Sequence, residues 1–154
     1  MPLLPALQLF LHLLAAAFWV GGMATMHFAV RPAAVASLEP PLRLPFMAAA
    51  LSRLSVAVST ATAVLLATGL GLVWLHGGFA RVHWSVHAMF TLGLVMMALF
   101  LHLRFAPYPR LVRAVAAHEW PAAAANLNTV RKLVSVNLVL GVLVFAIAVL
   151  GRAL

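Results

Sequence analysis

HLLAAAFWVGGMATMH, residues His12 to His27, is a run of apolar and small residues framed by two histidines, with no Lys, Arg, Asp or Glu inside it. Extended from about Ala6 to Val30, it is long enough for a helix to cross a hydrocarbon core of about 30 Å, which needs about 20 residues. A second run has the same frame: HAMFTLGLVMMALFLH, residues His87 to His102. In both, the histidines lie fifteen residues apart. At about 1.5 Å rise per residue that interval separates them by roughly 22 Å along a helix axis.

Working outward, two further apolar runs appear. The four expected spans are about residues 6–30, 46–75, 83–105 and 130–150. The first is expected to stop at Arg31-Pro32, and the third before Pro107. Residues 109–127 are Ala-rich and carry Arg110, Arg113, His118 and Glu119, which predicts a short amphipathic helix lying on the membrane surface on the cytoplasmic side. The fold class read from this pattern is all-α integral membrane, a single four-transmembrane-helix domain over residues 1–154.

Composition agrees. Of 154 residues, 66% are hydrophobic and 8% charged, against about 25% charged in soluble domains. There is no cysteine, so disulfides, iron–sulfur clusters and thiolate metal sites are excluded. The formal net charge of +8 does not indicate nucleic acid, because the cations sit in short connections beside apolar spans. The N-terminal MPLLPALQLF has no basic residue before its apolar run, so it reads as a retained helix rather than a cleaved signal.

The connections between spans one and two and between spans three and four hold Arg31, Arg43, Arg53, Arg104, Arg110, Arg113, Arg131 and Lys132. The opposite side holds Arg81 and Arg152. The positive-inside rule then places both long connections in the cytoplasm of a bacterial-type inner membrane and both termini on the outer side. Spans one and three run in the same direction. His12 is level with His87 near the outer face, and His27 is level with His102 near the inner face.

Paired imidazoles at one depth suit a heme iron. The spacing predicts two b-type hemes, one at minimum, on His12 with His87 and on His27 with His102. An ionisable residue at membrane depth is functional by default. Gly22 would let a flat macrocycle approach the backbone, Trp19 is deep enough to line a pocket, and Arg31, Arg53 and Arg104 would meet propionates or an anionic substrate. The other reading of these arginines is topology and lipid headgroups. Met23, Met26, His27, Met96 and Met97 offer soft donors for copper(I), although buried methionines are more often core filler. His76, His83 and His118, near helix ends, read as headgroup-level residues without a ligand role. Asn137 is polar at depth and should have a partner on a neighbouring helix.

These residues resemble a family. The run HLLAAAFWVGGMATMHFAVRPAA resembles the opening helix of the copper-resistance CopD-like membrane proteins, RLSVAVSTATAVLLATGLGL their second, and RKLVSVNLVLGVLVFAIAVLGR their last. The same core is similar to that of the membrane protoporphyrinogen oxidase family. That similarity implies heme b, with a first-helix histidine matching His12 and a third-helix lysine whose place His87 takes. The Tyr-Leu-Pro-Arg run that follows the first helix in that family is absent here.

The expected function is a membrane b-type cytochrome passing electrons between a quinone or quinol and a redox partner, an oxidoreductase in that sense. The alternatives are copper transport or handling, a heme-containing protoporphyrinogen-oxidase-like enzyme, and a non-catalytic subunit of a larger membrane complex. Partners are membrane lipid and a quinone, with no nucleic acid; four spans leave room for a homodimer.

Overall fold

The computed structural model describes residues 3–151, so Arg152, counted above on the outer side, lies outside the described residues. Six α-helices follow in order: α1 Leu3–Thr25, α2 Arg31–Ser37, α3 Pro40–Leu75, α4 Trp84–Phe105, α5 Pro107–Ala116 and α6 Trp120–Leu150. No strand occurs among the described residues. Four helical stretches, Leu3–Ser37, Pro40–Leu75, Trp84–Ala116 and Trp120–Leu150, are long and apolar enough to cross a membrane. The protein is a multi-pass all-α membrane bundle.

The helix boundaries correct three expectations. The first span does not stop at Arg31-Pro32. A single π turn, Met26–Val30, joins α1 to α2, and Pro32 falls in the first turn of α2. Pro32 has no N–H to give to the preceding turn, and the helix runs on past it with π winding in place of regular α winding just before it. The chain breaks only at Leu38 and Glu39, both extended, as the residue before a proline tends to be. The second span also starts earlier, at Pro40.

The third difference concerns residues 109–127. They do not form one surface helix. Helix α5 ends at Ala116, His118 takes a left-handed conformation with φ 58°, and α6 has already begun at Trp120. Nor does α5 merely lie on the surface: Tyr108, Leu111 and Ala114 are buried against the bundle. Its apolar stripe is matched by Leu44, Ala48 and Leu51 of α3, Leu103 of α4, and Ala123 and Val130 of α6.

Helix α1 packs chiefly on α3, and α4 on α6. Small residues set the approach. A Cβ on Gly141 of α6 would lie 2.6 Å from Val20 Cγ2 and 3.4 Å from Met96 Cε, so glycine is what lets three helices meet there. Lipid tails are as apolar as the side chains, so close van der Waals contact of this kind drives association within a bilayer. A second buried cluster fills mid-depth: Trp19 and Met23 of α1, Val58 of α3, and Met96 and Phe100 of α4. Much of the remaining apolar surface faces outward, with Trp74 83% and Phe105 75% exposed, as a lipid-facing bundle requires.

Candidate functional site

The contacts at mid-depth fix the relative heights of the spans. Val20 and Met96 both flank Gly141. His12 lies eight residues toward the termini from Val20 and His87 nine from Met96; His27 lies seven toward the arginine-rich end and His102 six. Counted from that contact, the histidines of spans one and three fall at similar heights along their helices.

Their surroundings differ. His12 is half-buried against α3, where its Nδ1 lies 2.9 Å from Thr68 Oγ1. The Thr68 hydroxyl gives its one hydrogen to Val64 O at 2.6 Å. With the hydroxyl hydrogen on Val64 O, the Thr68 oxygen accepts from His12 Nδ1–H, the tautomer that keeps the Nε2 lone pair. Gly69 makes room, since a Cβ there would lie 3.1 Å from His12 Cε1. His27 sits in the π turn and repeats the arrangement. Its Nδ1 is 3.3 Å from Ser135 Oγ, whose hydrogen goes to Arg131 O at 3.0 Å. Each of these histidines thus has a hydroxyl beside its Nδ1. That is the outer-shell arrangement metal-binding imidazoles use.

His87 and His102 are exposed. His87 packs against Phe79, with ring centroids 5.7 Å apart. Between the two histidine levels, the side chains of Trp19 and Phe100 meet edge to face with centroids 6.1 Å apart, although α1 and α4 themselves pack on α3 and α6 rather than on each other. Gly22 serves helix packing: a Cβ on it would lie 2.9 Å from Leu54 Cδ1. Trp19 is buried in the core, 3% exposed. Arg53 is exposed, and Arg104 is half-buried with its guanidinium 5.4 Å from the Tyr108 ring centre.

Arg31 belongs to a different group from the expected one. It lines a cavity of about 220 Å³ at the arginine-rich end, together with Arg43, Arg131, Asn128, Met26, His27 and Met47. The apolar part of the lining includes Leu44, Leu51, Leu127, Val130 and Val134. The π turn helps make this cavity. Met26 and His27, its first two residues, line the cavity, and such turns are frequent at functional sites.

Above the cavity, Met23 and Met96 are each 4% exposed and share the mid-depth cluster, with Met97 packed against it. Asn137 lies beside them. Its Nδ2 donates to Met96 O at 3.2 Å, the expected partner on a neighbouring helix, while its buried Oδ1 has no partner. Among the described residues, no group of three or more His, Cys, Asp or Glu side chains gathers as a metal site. The soft donors fall in two groups: Met23 and Met96 in the mid-depth cluster, and Met26, Met47 and His27 in the cavity lining.

Sequence reasoning missed five contributors: Thr68, Ser135, Arg43, Met47 and Arg131. Arg43, Met47 and Leu51 recur every fourth residue, which places them on one helix face, and that face lines the cavity. Thr68 and Ser135 are hydroxyls inside apolar spans, a signal that a polar partner is near.

Residues 48–150 match the family model of copper resistance protein D, CopD. The match takes in the second, third and fourth spans and leaves His12 to Ala34 outside it. Comparison with curated proteins and with solved structures finds no match.

Proposed function

The chain belongs to the copper resistance protein D family, and on that premise we propose that it handles copper(I) within the membrane, taking the metal as cargo on thioether and imidazole donors. One observation carries the reading. Met23 and Met96, from spans one and three, are buried in one cluster at mid-depth, and Met26, Met47 and His27 line the cavity at one end of the same span. Soft, uncharged sulfur selects copper(I) over hard cations. A thioether needs no deprotonation to bind, so it suits a site where a free carboxylate or thiolate would be costly to bury. His27 would add its Nε2, oriented by Ser135. The unpartnered Asn137 Oδ1 supplies an acceptor at the depth of Met96.

A heme b reading is favoured by a different observation, the Nδ1-anchored imidazoles of His12 and His27 at heights matching His87 and His102. The residues do not fit that group as a set: His12 and His27 are anchored inside the bundle, while His87 and His102 are exposed.

Two measurements on the purified chain separate the readings. Under reducing conditions, competition with a chromophoric copper(I) chelator should show a bound copper equivalent. The M23L/M96L variant should bind it at least tenfold more weakly, with its thermal midpoint little changed, because Met-to-Leu swaps conserve volume. Unchanged affinity in that variant would rule out the mid-depth donors. Sharp visible bands of reduced heme in the as-purified protein, with no copper uptake, would overturn the proposal in favour of heme.

A further inference from the structure

The cavity at the arginine-rich end has a chemistry that copper does not explain. Three arginines line it, and they come from three separate elements: Arg31 from α2, Arg43 from α3 and Arg131 from α6. Neither Glu39 nor Glu119, the two acidic residues of the chain, is in the lining. Topology alone does not account for this convergence. Arg53, Arg110, Arg113 and Lys132 also serve the charge bias of that end, and all four are exposed; Arg31, Arg43 and Arg131 are half-buried. Holding three like charges around one apolar-floored cavity is unfavourable unless an anion joins them.

We propose that this cavity binds a phosphate group, gripped by Arg31, Arg43 and Arg131. The guanidinium fork matches phosphate oxygens in pairs, which a lysine ammonium does not. Asn128 adds a side-chain amide to the lining. The size fits a phosphate-bearing headgroup: about 220 Å³ equals about seven water volumes at ~30 Å³ each. Leu44, Met47, Leu51 and Val130, all buried, give the floor a dry wall that strengthens the ion pairing. Basic pockets between transmembrane helices commonly hold anionic headgroups in this way. The phosphate would be supplied either by an anionic lipid or by inorganic phosphate. None of the three arginines is a metal donor, but Met26, Met47 and His27 line the same cavity, so the test is run on copper-free protein and its failure leaves the copper reading standing.

The test uses the full chain in detergent, with native mass spectrometry to count bound phosphatidylglycerol and phosphatidylcholine of the same tails. The expected result is selective retention of phosphatidylglycerol, weakened at least tenfold in R31Q/R43Q/R131Q and unchanged in R53Q/R113Q. If millimolar inorganic phosphate displaces the lipid, the cavity accepts both sources. If it does not, the headgroup is the specific ligand. If inorganic phosphate alone binds, in the same Arg-dependent way, free phosphate is the ligand. Equal binding by the triple variant, equal loss in R53Q/R113Q, or no binding of either probe would overturn the proposal. Should the triple variant fail to fold, R43Q alone is expected to weaken binding three- to tenfold and R43K by less, and an unchanged R43Q overturns it equally.

Discussion

His12 and His27 begin as equivalents, one at each end of the same apolar run, yet the bundle treats them differently. At the termini end, α1 stays regular and lies close on α3: His12 meets Thr68 at 2.9 Å over Gly69, and a Cβ on Gly71 would lie 2.7 Å from Gln8 Nε2. At the arginine-rich end, a π turn widens the helix, His27 meets Ser135 at a longer 3.3 Å, and a cavity opens beside it. Both imidazoles are anchored through Nδ1, so the anchoring is common and the access is not. A closed end of this kind holds the bundle's register. An open end, lined by sulfur, imidazole and guanidinium, is where a ligand can enter.

The largest effect expected from this contrast lies between the two ends, at Gly141. G141L would drive a side chain into Val20 and Met96 and cost about 1–3 kcal/mol or more, seen as a thermal midpoint lower by several degrees. G21A is its control, because nothing lies within 4 Å of a Cβ there; it should be neutral or stabilising by up to about 1 kcal/mol. Equal midpoints for the two variants would break the packing described.

Next comes metal binding at the open end. M47L should weaken copper(I) three- to tenfold in the chelator competition, whereas Q8L at the closed end should not change it; the reverse pattern would place the metal at the wrong end. Smaller still are the hydroxyl anchors. T68V should cost about 0.5–1.5 kcal/mol through the lost acceptor of the His12 N–H. S135A should cost less, because its bond is longer and borders a cavity. A larger loss from S135A than from T68V in thermal melts would invert the closed and open assignments. The smallest effect belongs to R53Q, an exposed change expected within about 0.5 kcal/mol of wild type.

Much of the architecture was legible in the sequence. Uncharged runs of sufficient length gave four spans, and the shared fifteen-residue interval put His12 with His87 and His27 with His102 at matching heights. Height is legible because rise per residue is nearly constant. Facing is less so, since it depends on how helices rotate and on where the winding changes. The π turn at Met26–Val30 has no marker in the sequence beyond Pro32, which the regular pattern reads as a stop. The short α5 was hidden for a similar reason: the Ala-rich stretch from Ala122 onward continues helically into the last span, and only the Ala117–Glu119 turn separates the two. The arginine group was misdrawn because Arg31, Arg53 and Arg104 share a height, whereas Arg31, Arg43 and Arg131 share a cavity. Proximity across three elements is a tertiary fact, visible on α3 only as the four-residue recurrence of Arg43, Met47 and Leu51.

The most direct test of the copper reading is X-ray absorption at the copper edge on the chain loaded with one copper(I). A first shell dominated by sulfur is expected, and it should lose sulfur in M23L/M96L. A shell of nitrogen and oxygen alone, or one identical in the two proteins, would contradict the copper reading.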